Sequence, residues 1–486
     1  MRAHRIAIAL TALAALIVAV TLLVRGGDDD PAPPPPVLAP GAGVPERDPL
    51  AWTPERSGEY AARAAEGWAH ALYTRTADGL ATGVERTMQW REAIEAATAG
   101  TGVDPDTLEA MVLLESAGRP EAQASDDLAG AVGLVQIVAE TGRSLLGMRV
   151  DLEASRQITR RMHRAARRGE TERLERLRAQ RRRVDERFNP EKALAGAVRY
   201  LEFARDQLGR DDLAVAAYHM GVGNLQTALA RYGQGTVPYV QLYFDTTPTH
   251  HADAWAFLNG LGDDSATYLW RVRAAEAILE LAREDPEELA RRTALMNERN
   301  SAEVALHPPD ETDPYDDPEE LREARDAGEV APLPRRWLAR HGLRIDPQMG
   351  ELAPELGEEP ATYRGLRREA LAVLAYLGAG VRAISGAERP LRVTSTVRDA
   401  EYQAELAGVE IQATDGYSLH TTGYAFDIAR DYADRDQARA LQFLLDRLTA
   451  LNLIAWVREP GAIHVTVSAD AARLMEPLGI LPADGG

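Results

Sequence analysis

The 486-residue chain contains no cysteine. That absence excludes disulfide staples, thiol chemistry and a lipid-modified N-terminal cysteine. Lysine is almost missing as well. Lys192 is the single example, and arginine carries the remaining positive charge, a compositional habit without mechanistic weight. Basic residues are in the minority overall. With 55 Lys and Arg against 75 Asp and Glu, the formal net charge is −20, which argues against nucleic acid as a main partner. The length is that of two or three domains.

What is present is organised around Asp104 to Gly118. Asp104 is a good N-cap, Pro105 sits where a missing N–H costs nothing, and Gly118-Arg119-Pro120 is a stop signal. The apolar stripe of this predicted helix runs through Leu108, Met111 and Val112, and the next position on it is Glu115. A carboxyl group where a core side chain belongs is desolvated. Desolvation disfavours the charged form and raises the pKa toward what a general acid needs near neutral pH. A lone Glu would more simply bend out to solvent, but Glu115 has company. In the stretch Ser125 to Gln136, glycines at 130 and 133 allow close approach of backbone to a ligand, and Gln136 supplies a donor and an acceptor. Further on comes Ala217-Tyr218-His219-Met220-Gly221.

These three motifs, in this order, resemble the soluble lytic transglycosylases, relatives of goose-type lysozyme. The family pattern is Glu-Ser on a helix, Gly-Leu-Met-Gln, then Ala-Tyr-Asn-x-Gly. Glu115-Ser116 matches fully, Gly133-Leu134-Val135-Gln136 has Val for Met, and residues 217–221 have His219 for Asn. Tyr268 is similar to the family's late tyrosine. The resemblance implies an all-α lysozyme-like domain that cleaves the MurNAc–GlcNAc bond of peptidoglycan and leaves a 1,6-anhydromuramyl end. Glu115 is then the acid and afterwards the base on the muramyl C6 hydroxyl, and Ser116, Gln136, Tyr218, His219 and Tyr268 are substrate contacts. No second catalytic carboxylate is assigned, unlike the paired-acid glycosidases, and Asp126 and Asp127 are read as loop residues.

Residues 1–27 are expected to form a signal anchor. Arg2, His4 and Arg5 precede the apolar run Ile6 to Val24, long enough to cross a bilayer as a helix, with Asp28-Asp29-Asp30 soon after it. The positive-inside rule places the N-terminus in the cytoplasm and the bulk of the chain outside, a single-pass membrane protein facing the wall. Residues 28–50, with Pro33 to Pro36, read as a semi-rigid spacer unable to build a core. Residues 51–284 carry helical patterns, one of them opened by Asn189-Pro190 and closed by Gly209.

Between Asp151 and Arg183 stand twelve arginines against five acids, placed like an insertion between the second and third motifs. A solvated helical hairpin with pairs such as Glu172–Arg176 is the preferred reading, and a contact to anionic wall polymers or lipid headgroups is the alternative. Residues 285–360 read as an acidic, Pro-rich connector with short helices.

Residues 361–486 change grammar. A helix with Leu366, Ala370, Val373, Leu377, Val381 and Ile384 on one face is followed by alternating stretches at Leu391–Val397 and Ala462–Val467, the pattern of a separate α+β domain. His420 and Asp427 lie seven apart, and His464 sits on the last alternating stretch. Two imidazoles and a carboxylate suit Zn²⁺ with an open fourth position. Ser418-x-His420-x-x-Gly423-x-Ala425-x-Asp427-Ile428 resembles the zinc D-alanyl-D-alanine carboxypeptidases and dipeptidases of the vancomycin-resistance type, and the related fold of Hedgehog signalling domains. The resemblance implies His420, Asp427 and His464 as Zn²⁺ ligands, Glu459 as the catalytic carboxylate, five residues before His464 where the enzymes have three, and Arg398, near Gln403, as the group that meets a substrate carboxylate or oxyanion.

The sequence therefore reads as a multidomain, bifunctional peptidoglycan hydrolase. It combines a lytic transglycosylase with a Zn²⁺-dependent stem-peptide peptidase behind an N-terminal transmembrane helix. The alternatives are a glycosidase delivering water, a zinc head that is structural only, and a wall-binding or scaffold protein with one or both heads inactive.

Overall fold

A computed structural model of the chain describes Leu38 and residues 43–297, 301–409 and 417–482. The Ile6–Val24 run and Pro33 to Pro36 lie outside the described residues. Among the described residues no helix is long and apolar enough to cross a membrane.

The first half is helical. The elements that build its site are α1 (Ser57–Gly67), α2 (Pro105–Ser116), α3 (Leu152–Arg167), α4 (Thr171–Val184), α5 (Pro190–Leu208), α6 (Asp211–Met220) and α7 (Tyr268–Glu284). Helix α2 starts and stops where its sequence says. The Asp104 carboxylate accepts from the Asp106 N–H, and the chain leaves through left-handed Ala117 and Gly118. The apolar stripe is not how α2 packs, however. Thr107 through Leu113 are all buried, so this is a central helix enclosed on every side, with α7 packed along it. Enclosure reaches a second carboxylate, Glu109, which is fully buried between Arg91 and Arg283.

The Arg-rich stretch is the helical hairpin α3–α4. Ile158, Met162, Ala165 and Leu177 form a small core between its two helices, while most of its arginines point to solvent. Glu172 and Arg176 pair at 3.5 Å. Arg181 is the exception, 1 % exposed, bonded to Glu121 and lying 3.6 Å over the ring of Phe188. Helix α5 runs from the Asn189 cap, which accepts from Lys192 N–H, to Gly209 at φ +78°.

The second half is α+β. Strands β1 (Val330–Pro332), β2 (Leu343–Ile345), β3 (Gly365–Arg367), β4 (Leu391–Ser395), β5 (Ala425–Ala429), β6 (Ile454–Arg458) and β7 (Ala462–Val467) form a β1–β3 ribbon and a five-stranded sheet. The sheet order is β2-β4-β5-β7-β6, parallel at β2–β4 and antiparallel elsewhere. Helices α8 (Arg368–Ser385) and α9 (Arg435–Ala450) pack on each other and on this sheet.

Three boundaries drawn from composition move. Strands β1 and β2 come from the acidic connector, so the α+β fold begins well before residue 361. The end of the spacer is docked: Leu50 is buried, Leu38 bridges Ile480, and Asp48 meets Arg447 at 3.2 Å and the Tyr376 hydroxyl at 3.1 Å. The two halves are not separate either, because one apolar core runs from α1, α2 and α7 into α8, α9 and the sheet. The contact is tightest at Gly67, where a Cβ would stand 2.0 Å from the Thr449 carbonyl oxygen on α9.

Candidate functional site

Glu115 occupies the last turn of α2 and is partly buried. Burial pushes its carboxyl up to about 7, opposed by a hydrogen bond from the Tyr268 hydroxyl (2.7 Å) and by the positive charge of Arg271. The contrast with Glu109 on the same helix is chemical. Two guanidinium groups neutralise Glu109, whereas the direct partner of Glu115 is an uncharged phenol. Tyr268 is fully buried and opens α7, and Arg271 follows it one turn later on the same face, paired with Asp264. Tyr268, expected among the substrate contacts, is thus the partner of the acid.

Helix α6 brings Tyr218 and His219. The Tyr218 hydroxyl donates to the Val135 carbonyl (2.8 Å), and its ring stacks on that of Tyr268 at 6.3 Å. His219 stacks on Tyr268 from the other side of the motif (5.3 Å), shares a 2.8 Å hydrogen bond with the Ser265 hydroxyl and has Asp264 at 3.7 Å. Burial lowers the His219 pKa, with Asp263 opposing and Arg271 reinforcing, so the imidazole is neutral at pH 7.

Ser116, also expected to touch substrate, is buried. Its hydroxyl donates to the carbonyls of Leu134 (2.7 Å) and Val112 (3.2 Å), so it fastens the Gly133–Gln136 loop to the helix carrying the acid. Gln136 stands in the left-handed region at φ +49°, its side-chain amide donating to Gly133 O (2.8 Å). Gly133 serves the protein and not a ligand. It has φ +84°, and a Cβ there would lie 2.0 Å from the Arg187 carbonyl. Arg187, fully buried beside Asp185, donates to the carbonyls of Leu128, Gly130 and Ile137 and so holds the whole loop. Sequence reasoning missed Arg187, Ser265 and Arg271. Of these only Arg271 left a readable signal, its spacing of three from Tyr268 on a helix.

The second group forms on the sheet. Asp427 on β5 is directly opposite His464 on β7, and the next strand places Val457 opposite His464. His420 comes from a short turn of 3₁₀ helix, Leu419–Thr422, just before β5. Asp427 meets His464 Nδ1 at 2.8 Å and His420 Nε2 at 3.3 Å. One donor atom from each of the three residues lies within 4.8 Å of the other two, so the sequence-predicted trio converges. The far nitrogen of His420, Nδ1, is 2.8 Å from the Thr396 carbonyl. That bond requires the proton on Nδ1 and leaves the Nε2 lone pair turned toward Asp427, the orientation a metal ligand needs.

The electrostatics differ sharply between the two rings. Burial, reinforced by Arg398, lowers His420 to about 4. Burial also acts on His464, but the hydrogen bond and charge of Asp427, with Glu303 and Glu459, outweigh it and lift this ring to about 9. Burial works against Asp427 too, yet the two imidazoles hold it well below the carboxylate range. Arg398 lies 3.8 Å from Asp427 and donates to Ser395 Oγ (2.6 Å) and Gln403 Oε1 (2.8 Å). Glu459 is half-buried at the β6–β7 turn, its N–H bonded to the Ala462 carbonyl, which puts it on the same sheet face as His464. One further histidine–carboxylate group, Asp245 with His250 and His251, lies on the helical half, its carboxylate bonded by the Tyr232 hydroxyl.

No curated protein matches the chain. The family model described as Transglycosylase SLT domain matches residues 168–236. The match takes in α4, α5 and α6, hence Tyr218 and His219, and places half of the Arg-rich hairpin inside the domain and not in an insertion. Glu115, the Gly133–Gln136 loop and Tyr268 lie beyond its ends and meet Tyr218 and His219 through the fold. Within the helical half of this chain, residues 168–236 are therefore similar to the Transglycosylase SLT domain.

Proposed function

We propose that the chain cleaves the MurNAc–GlcNAc bond of peptidoglycan as a lytic transglycosylase, with Glu115 as its acid and base. The observation that carries this is Glu115, a partly buried carboxyl group raised to about 7 and bonded by Tyr268, whose ring is stacked on by Tyr218 and His219 from the stretch that matches the SLT model. Near neutral pH such a group spends comparable time protonated and ionised, as one residue that first gives and then takes a proton must. Protonated Glu115 gives its proton to the bridging oxygen as the C1–O4 bond breaks. The carboxylate left behind takes the proton of the muramyl C6 hydroxyl as O6 bonds to C1. The acid is restored and no water is consumed. During the interval, the Tyr268 hydroxyl and the Arg271 charge stabilise the carboxylate. Gln136, Tyr218 and His219, grouped near Glu115 and not fully buried, supply the contacts for sugar hydroxyl and N-acetyl groups. Mass spectrometry of purified wall digested by the protein tests the reading. Anhydromuramyl ends lost with Glu115→Gln support it, and reducing muramic acid ends would instead mean that water is delivered.

A second, Zn²⁺-dependent peptidase activity on stem peptides is part of the proposal. Its support is the convergence of His420, Asp427 and His464 and the tautomer imposed on His420. Zn²⁺ held there would supply a Lewis acid at a peptide carbonyl. Arg398 is placed to meet an anionic group, and Glu459 shares the face of His464. Turnover of D-Ala-terminated peptides decides whether this group is catalytic. Anchoring through the Ile6–Val24 run, with the folded part on the wall side, completes the reading and rests on the charge asymmetry around that run.

A further inference from the structure

We infer that Glu303, contributed by the connector, is a positioning residue of the metal group: its carboxylate stands behind His464, 3.3 Å from Nε2, as the acceptor for the proton there when Nδ1 binds the metal. The inference rests on the reading of His420, Asp427 and His464 as Zn²⁺ ligands. Three observations support it. First, the two nitrogens of His464 face different carboxylates. Nδ1 faces Asp427 at 2.8 Å, inside the convergent trio, while Nε2 faces Glu303 at 3.3 Å, outside it. With Nδ1 as the donor to a metal, the proton must sit on Nε2, where a buried acceptor is waiting. Metal–imidazole–carboxylate relays of this kind fix both tautomer and ring angle and raise ligand basicity.

Second, the carboxylate is only partly satisfied there: the Thr466 hydroxyl bonds it, while the oxygen toward His464 lacks such a partner. Glu303 is 1 % exposed, and its Oε1, the atom nearest His464, makes no hydrogen bond of good geometry within the protein. A buried carboxylate oxygen left in that condition is costly unless some state of the protein satisfies it. Third, the segment is placed by its own contacts and not by the glutamate alone. Val304 and His307 are buried with it, the His307 ring stacks on Tyr424 at 3.9 Å with Nε2 2.6 Å from the Val467 carbonyl, and the Tyr417 hydroxyl donates to the His307 carbonyl (3.1 Å). Its depth also sets the role. A carboxylate sealed behind the ligand ring orients that ring, whereas Glu459 is half-buried on the ligand face.

The docking joins the two halves of the chain through the chemistry of one site. Residues 301–307 follow directly on the helices of the SLT half, so the metal group of the α+β half is complete only when that segment lies in place.

The test is Zn²⁺ affinity, measured by chelator competition on the full chain for wild type, Glu303→Gln and Val304→Ala. Glu303→Gln keeps the shape and removes the charged acceptor, and it should weaken Zn²⁺ binding about 10- to 100-fold with the metal-free melting temperature unchanged. Val304→Ala loosens the docked segment while retaining the carboxylate, and should weaken binding less. Co²⁺ substituted for Zn²⁺ should show an altered visible spectrum in Glu303→Gln, which a purely structural glutamate would not produce. Wild-type affinity in Glu303→Gln, with the Co²⁺ spectrum unmoved, overturns the positioning role. Wild type that binds no Zn²⁺ at all overturns it differently, by removing the metal reading beneath it. If Glu303→Gln fails to fold, Val304→Ala decides: unchanged affinity refutes the inference and weakened affinity supports it.

Discussion

Replacing Glu115 by Gln should make the protein less active and more stable at once, with the gain confined to one side of a pH window. A Glu in the unfolded chain titrates near 4.5, and in the fold Glu115 titrates at about 7. The folded state therefore holds this proton more tightly. Stability from that difference is fully present below pH 4.5, falls as pH rises between the two values, and is gone above pH 7. At about 1.4 kcal/mol per pKa unit, ionised Glu115 costs the fold roughly 3 kcal/mol at pH 8, less what solvent screens at this partly exposed group. Glutamine cannot ionise, so Glu115→Gln should gain that amount at pH 8 and nothing at pH 4. Spread over a chain of this size, roughly 3 kcal/mol is a rise in melting temperature of about 3 °C. Loss of the general acid should meanwhile lower anhydromuramyl release by about 10²- to 10⁴-fold. Melting curves of both proteins from pH 4 to pH 8 are the assay. A variant no more stable than wild type at pH 8, or one with the same advantage at pH 4, would show that the carboxyl is not desolvated as argued and that its pKa must be explained otherwise.

Tyr268→Phe removes the hydrogen bond that favours ionised Glu115, so the alkaline limb of the pH–rate profile should move up by about one unit, and a downward shift would contradict the role given to that phenol. Gly133→Ala combines a positive φ with a carbonyl 2.0 Å from the new Cβ and should cost on the order of 3 kcal/mol in urea titrations; a cost near zero would mean the loop yields. His420→Ala should abolish stoichiometric Zn²⁺ binding while leaving anhydromuramyl release intact, as read by metal analysis and wall digestion on the same preparation. Undiminished metal content would remove His420 from the ligand set.

Helix ends were legible wherever capping chemistry was local. Asp104-Pro105, Asn189-Pro190 and Gly209 each marked a boundary within a residue, because a cap needs only its neighbours. Strand β7 was legible through its alternation. Strand β5 was not, since all five of its residues are buried and such a run has no period to read. The three-residue strands β1 and β2 hid in an acidic, Pro-rich stretch because their pairing is decided by distant partners, Leu366 opposite Ala331 and Leu391 opposite Leu343. At the glycan site the motif residues were readable but their division of labour was not. Ser116 and Tyr268 look like substrate contacts in a motif, and only the fold shows their hydroxyls already committed to Leu134 and Glu115. Glu303 escaped because nothing local distinguishes it from the many acids around it.

The approach of α1 to α9 at Gly67 has a practical corollary. A backbone carbonyl fits against that position only while the residue lacks a side chain, so the two halves are keyed to each other like the faces of a mortise joint. Leu448 and Ala450 on α9 and Tyr60 and Ala64 on α1 are buried in the shared core. Severing the chain between the halves would bare apolar surface on each fragment. Fragments prepared singly would tend to clump, and an inactive fragment would say little about the head it carries. Heat should melt the joined halves in one event and not two. The pair is better regarded as one folded body, in which the distance from Glu115 to His420, Asp427 and His464 is set when the chain folds.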